Sequence, residues 1–393
     1  MVPSLRDRYN AQFTVEKYRE FLRMLDETVG TKIEFRVCET PVFLPKDLLH
    51  EMQQAAVEII GQLNTPAYFN ESVKAVPEKY RVPNEDAHPL FVQVDFAIIR
   101  DAHGRLAPRL IELQGFPSLY GFQIFFSQTY QRFFDLSSLE FLLGGLTLER
   151  YIALFKQALL GDHAPENVIL MEIEPEQQKT LPDFTCTEKL TGVKAVCITK
   201  IKKRGKKLFY LQNSKEIPIH RIYNRVVVDE FIQKNIQCEL DFRDELEVEW
   251  AGHPNWYFRM SKFSIPYLYH PAVPKAFYLH QLKNLPPNLQ HYVLKPLFSF
   301  AGSGVKVEVT PADIDALTTT VRPQYLLQEK IEYVPVIKTP DEMSKVEVRV
   351  MFLWLDKPLP VTTLARLSKG KMMGVDYNKN KDWVGASCCF FEP

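Results

Sequence analysis

Cysteine pairs are missing from this chain. Its six cysteines stand at positions 38, 186, 197, 238, 388 and 389. No C-x-x-C spacing occurs and Cys388 directly precedes Cys389, which suits neither a zinc site nor a disulfide framework. Reduced thiols packed as small core residues are expected, and with them a cytoplasmic location. A long hydrophobic run is also missing. The longest, around Leu139 to Leu148, is far short of the ~20 residues a membrane span needs. Excess charge is missing too: 48 Lys and Arg balance 48 Asp and Glu. That excludes the basic surface from which a duplex nucleic-acid binder draws its affinity. The opening "MVPSLRDRYNAQFTVEKY" places charges where an export signal needs an apolar core. The nine histidines form no ligand-spaced cluster.

What is present is an ordinary globular composition, 46% hydrophobic and 24% charged over 393 residues. At about 100–200 residues per domain, two or three packed units are expected. Residues 1–89 read as a helical segment. In "LLHEMQQAAVEIIGQL" the residues Leu48, Met52, Ala55, Ala56, Ile59, Ile60 and Leu63 form one stripe. From 90 to 165 the pattern becomes a hairpin, "LFVQVDFAIIR", "DAHG", "RLAPRLIELQGF", followed by aromatic-rich helices. From 166 to 253, "VILMEI", "GVKAVCIT" and "IPIHRIYNRVVV" read as strands alternating with a helix, an open α/β unit. Within it, "KIKKRGKK" is expected to be a solvated hairpin tip. Residues 254–393 hold a Gly-rich loop and a last series of strands, "YLLQEKI", "KVEVRVMFLWL", "LPVTTLARL" and "WVGASCCFF".

The Gly-rich loop lies in "VLKPLFSFAGSGVKVEV", which reads strand, loop, strand. Gly302 and Gly304 permit φ > 0, so that N–H groups through Ser299, Ala301 and Ser303 can converge on a phosphate oxygen. No Gly-Lys-Ser/Thr and no following helix make it a Walker loop, and its lysine, Lys295, precedes the glycines, unlike a protein kinase. A plain hairpin would look similar. The strand "YLLQEKIEY" adds to the signal, because Gln328, Glu329, Lys330 and Ile331 can present backbone groups to an adenine edge. Lys262 is a further, weaker phosphate candidate that reads more readily as a surface lysine at a helix start.

The hairpin offers paired carboxylates. A two-residue turn at His103–Gly104 sets Asp95 opposite Glu112, whereas a four-residue loop leaves them diagonal on one face. Like charges so placed repel unless neutralised, and a hard divalent cation is a natural answer. Gln114 supplies another oxygen on that face. Two acids on an exposed sheet face would be the alternative. Pro108 suggests an edge strand or a bulge. Glu347 and Arg349 alternate with valines; one of them can reach the nucleotide, and an exposed strand face explains both equally well. His253 and Trp256 read as a packed turn.

Together these segments resemble the circularly permuted ATP-grasp enzymes, the branch that includes glutathionylspermidine synthetase. "VDFAIIRDAHGRLAPRLIELQGFP" looks like that family's hairpin, with an Asp on one strand and Glu-x-Asn on the next. "IYNRVVVDEF" resembles its tyrosine-arginine segment, "VLKPLFSFAGSGV" its nucleotide lobe, and Arg366 in "LARL" its late phosphate-contacting arginine. The resemblance spans roughly residues 90 to 370. Gln114 stands where the family has Asn, and Gln93 where the synthetases have Arg, and no amidase-type domain is visible, so no polyamine–glutathione product follows.

The resemblance implies an α+β, permuted ATP-grasp-like fold with a Rossmann-like α/β subdomain and an N-terminal helical segment. It implies ATP and Mg2+ as cofactors, with Asp95, Glu112 and Gln114 on the metal, Arg225 and Arg366 as catalytic arginines, and Lys262, Lys295 and the Gly-rich loop on the nucleotide. The activity implied is ADP-forming carboxylate–amine ligation of small molecules through an acyl phosphate. A phosphotransferase or a non-catalytic nucleotide-binding module on the same scaffold would be the alternatives.

Overall fold

Alternating apolar and polar residues generate the central element, a sheet whose strands are β1 (Phe91–Arg100), β2 (Leu106–Gln114), β3 (Lys345–Trp354), β4 (Pro358–Ser368) and β5 (Gly385–Ser387). The computed structural model describes every residue except 300–302, 371–372, 374–377 and 379. The strand order is β5-β4-β3-β1-β2, antiparallel throughout. The strands bearing Asp95 and Glu112 therefore lie in one sheet with those bearing Glu347 and Leu364, as the two charge clusters require.

Period-two alternation gives this sheet two unlike faces. Val92, Val94, Phe96 and Ile98 of β1 and Val346, Val348, Val350 and Phe352 of β3 share an apolar cluster with helix α1 (Lys46–Leu63). All seven residues of the stripe read from the sequence are buried there. Each large side chain so buried stabilises by about 1.5–3 kcal/mol before entropy. Gln93, Asp95, Glu347 and Arg349 take the opposite face, and all four are buried.

Helix α2 (Tyr120–Phe133) helps to close that second face with an aromatic core including Phe21, Phe122, Phe126, Tyr130 and Phe155. The Tyr120 hydroxyl reaches Val92 O at 3.1 Å and Phe352 O at 2.8 Å, tying the helix to β1 and β3. The chain's last segment, read from the sequence as a strand, completes this core. Cys389–Phe390 pairs in parallel with Val42–Phe43. All six cysteines are free thiols, five of them buried.

The α/β unit is a four-stranded parallel sheet in the order 249–251, 221–224, 168–172, 194–197. Helix α3 (Leu181–Thr191) is the crossover between two of its strands. The basic run turns at Gly205, whose φ is +62°. Lys202, Arg204 and Lys206 pair there with Glu239, Glu216 and Glu245, which makes it a solvated tip.

The remaining lobe is a three-stranded antiparallel sheet, with Tyr325–Glu329 between Ala276–Tyr278 and Tyr292–Pro296. The strand expected at "VKVEV" does not form. Lys306 exchanges both backbone hydrogen bonds with Leu294, and then Thr310 caps a short helix at Pro311–Asp315, which ends the extended run. Among the described residues no helix is long and apolar enough to cross a membrane.

Candidate functional site

The hairpin turn is neither of the two expected. Asp101 and Arg105 close a three-residue loop in which Gly104 has φ +77° and the Asp101 carboxylate accepts from the N–H groups of His103 and Arg105. That turn pairs Phe96 with Leu110 and would leave Asp95 opposite Ile111. A bulge at Ile111 shifts the register by one, so Asp95 does face Glu112. Pro108 is tolerated because β2 is an edge strand.

The expected repulsion between these acids is absent, because the next strand brings a guanidinium. Arg349 lies opposite Asp95 on β3. Its Nε donates to Asp95 Oδ1 at 2.5 Å, its Nη2 to Oδ2 at 2.6 Å, and its Nη1 to Gln93 Oε1 at 2.7 Å. The planar fork matches the carboxylate. Arg366 Nη2 stands 3.4 Å from Asp95 Oδ2 and 3.1 Å from Glu347 Oε1.

Glu112 meets a different set. Its Oε1 accepts from Gln114 Nε2 at 2.5 Å, and its Oε2 lies 3.6 Å from Lys262 Nζ. Burial raises its pKa, but the charges of Lys262, Lys295, Arg349 and Arg366 outweigh that and pull it down to about 2. Burial pushes Glu347 up, against the pull of Arg366. Tyr333 adds a hydroxyl 3.4 Å from Glu347 Oε2. Lys262 is not the surface residue that a helix-start lysine suggests. Packing of its segment against β2 buries it, and it donates to Ser299 O at 2.8 Å.

Across this cleft stands the three-stranded lobe. Lys295, paired with Leu326, points its Nζ at Ile111 O, 3.3 Å away. Burial lowers its pKa to about 8, with Glu112 partly offsetting the shift. Gln328 shares the Lys295 face, since Leu326 and Gln328 are two residues apart on one strand. It is fully buried, and neither its Nε2 nor its Oε1 has a partner among the described residues. A buried amide without partners calls for a ligand or water. The Ser299 hydroxyl is in the same condition.

Two of the backbone donors expected to read adenine are already used. Glu329 N–H bonds Lys275 O and Lys330 N–H bonds His291 O, both at 2.8 Å. The Glu329 carboxylate accepts from Lys275 N and Arg109, which ties the lobe to the hairpin. Ile331 follows, half-buried. Ser303 and Gly304 form a turn, and a Cβ on Gly304 (φ +72°) would meet Pro296 Cγ at 2.9 Å, so glycine is required beside Lys295. Ala301 and Gly302 lie outside the described residues.

Arg225 was expected at the phosphates. It is buried and paired with Asp183 Oδ2 at 2.5 Å. Asp183 in turn accepts from the N–H groups of Leu119, Gly121 and Phe122, all at 3.0 Å, which cap α2. Arg225 is thus a positioning residue. It holds the loop whose Ser118 O accepts from Gln93, and Gln93 accepts from Arg349. His253 bonds Pro83 O, and burial lowers its pKa to about 4, in keeping with a packed turn.

The structure therefore brings Asp95, Glu112, Gln114, Lys262, Lys295 and Arg366 together in one cluster of charges and pairs Arg225 with Asp183. It adds Gln93 and Tyr333, and it brings in both Glu347 and Arg349, which the sequence left open between the nucleotide and an exposed face. The one available signal for Gln93, Glu347 and Arg349 was a run of polar residues at alternate positions on strands otherwise rich in valine, and Tyr333, between strands, had none.

No protein-family model and no curated protein matches the chain. Solved structures do. A glutathione synthetase-like effector (GSS30) from Globodera pallida, solved in its apo form, shares 12% sequence identity over 96% of both chains with a TM-score of 0.59. The chain has the fold of that glutathione synthetase-like protein from end to end.

Proposed function

We propose that this cleft binds ATP through its phosphates, on an ATP-grasp scaffold of circularly permuted strand order. The observation that carries the reading is the convergence of Lys262, Lys295, Arg349 and Arg366, from separate segments, in one cleft beside the unpartnered Gln328 amide. Cations in a water-poor cleft suit a phosphate chain. An amide with one donor and one acceptor end suits a base edge.

Magnesium is expected with the nucleotide, but its expected donors do not fit it as they stand. Both Asp95 oxygens accept from Arg349, and Gln114 turns its NH2 end, not its oxygen, on Glu112.

Ligation is a second reading, favoured by the burial of these charges opposite Lys295. A small-molecule carboxylate would attack the γ-phosphate, releasing ADP and leaving an acyl phosphate. An amine would then displace phosphate and form the amide. Lys262, Lys295 and Arg366 would hold the charge that develops on the transferred group. The reading needs the Arg349 fork on Asp95 to open.

Calorimetric titration with ATP tests the first reading, and absence of binding would end it. Incubation with ATP and panels of carboxylates and amines tests the second. ADP and free phosphate indicate ligation, whereas a stable phosphorylated product indicates phosphotransfer.

A further inference from the structure

We infer that the Arg349 guanidinium occupies the place of the bridging cation, so that phosphate binding in this cleft is independent of magnesium. The inference rests on the reading of the cleft as a phosphate site.

Three acceptors that could hold a cation, Asp95 Oδ1, Asp95 Oδ2 and Gln93 Oε1, all receive N–H groups of one guanidinium within 2.7 Å. Arg349 is buried, and Asp95 is 1% exposed. Such a buried pair is costly to break, because either partner left alone is an uncompensated charge. A magnesium ion would have to displace the guanidinium from Asp95, shed water to do so, and then lie beside the displaced positive charge.

The remaining charges point the same way. Four cations, Lys262, Lys295, Arg349 and Arg366, stand in the cleft with three carboxylates, Asp95, Glu112 and Glu347. Burial raises the pKa of Asp229, a further carboxylate whose charge acts on Lys262. Among the described residues the cleft offers no carboxylate of these three without a cationic partner. Free ATP, with its full phosphate charge, complements such a site better than ATP whose charge magnesium has already halved.

The test is calorimetric titration of the full chain with ATP, once in EDTA and once in excess magnesium, with inorganic tripolyphosphate as a second probe. Affinity in EDTA is expected to equal or exceed that in magnesium. The variant Arg349→Leu, which frees Asp95 and Gln93, is expected to reverse this: magnesium alone should raise its melting temperature, and ATP should bind it better with magnesium than without. Arg349→Lys, which cannot fork both oxygens, is the substitute should the leucine variant fail to fold. A wild-type affinity that rises tenfold or more with magnesium overturns the inference and leaves the phosphate cleft standing. No binding of either probe in either condition ends the underlying reading itself.

Discussion

Two buried arginine–aspartate pairs, built alike, differ in what surrounds them. In the Arg225–Asp183 pair the carboxylate also accepts three backbone N–H groups of the α2 terminus, so every direction around it is filled by fixed neighbours. In the Arg349–Asp95 pair all the partners are side chains, and Glu112, Glu347, Lys262 and Arg366 crowd around it in surplus. The first arrangement fixes its carboxylate on backbone and serves to hold a helix, although the Arg225 Nε has no partner among the described residues. The second can exchange partners, and it lies opposite a lobe with an unpartnered amide. An ion pair reads as structural when its remaining valences end in backbone, and as functional when they end in other charges.

That contrast predicts unequal costs. Asp183→Ala strands Arg225 and uncaps α2, and should cost about 3–5 kcal/mol in denaturant melts. Asp95→Asn should cost less, about 1–2 kcal/mol, because Glu112 and Glu347 both still act on Arg349. Repulsion between Asp95 and Glu112 alone would instead have made Asp95→Asn stabilising. Equal losses for the two variants would erase the distinction.

The closed node also carries a pH signature. Glu172, beside Arg225, has its pKa pushed by burial up to about 8 from 4.5. A carboxyl whose folded pKa is raised is bound to its proton more tightly when folded. Its stabilising contribution is complete below about pH 4.5 and is lost as pH rises through 8. Melts at pH 5 and pH 8 should differ by roughly 2–4 kcal/mol from this residue, and Glu172→Gln should remove that part of the difference. A variant as pH-sensitive as the wild type would locate the effect elsewhere.

The open cleft has the smaller, ligand-linked counterpart. Lys295, at about 8, loses its charge just above neutrality. ATP affinity should therefore fall by up to about tenfold per pH unit above 8, and Lys295→Arg should flatten the profile. A flat wild-type profile would show that this lysine does not face phosphate.

Much of this was legible in the chain itself. Period-two runs located the long strands, and the stripe from Leu48 to Leu63 located α1, since each pattern commits a whole element to one face. The facing of Asp95 and Glu112 was legible too, but it is reached through a three-residue turn and a bulge rather than a tight turn. What stayed hidden depends on coverage. Glu347 and Arg349 alternate with valines just as a solvated face would, and the burial of that face depends on elements far away in sequence. Lys262 looked exposed for the same reason. Arg225 matched a motif in sequence, yet Asp183, from another element, claims it.

Lys295→Met tests the central claim most directly, through its effect on ATP and on adenosine measured by calorimetry against the wild type. The lysine is a point charge for phosphate. ATP affinity should therefore drop by about tenfold or more while adenosine affinity stays within about twofold, a difference of at least ~1 kcal/mol. Equal loss for both ligands would mean a packing defect in the lobe, and a wild type that binds neither would contradict the account.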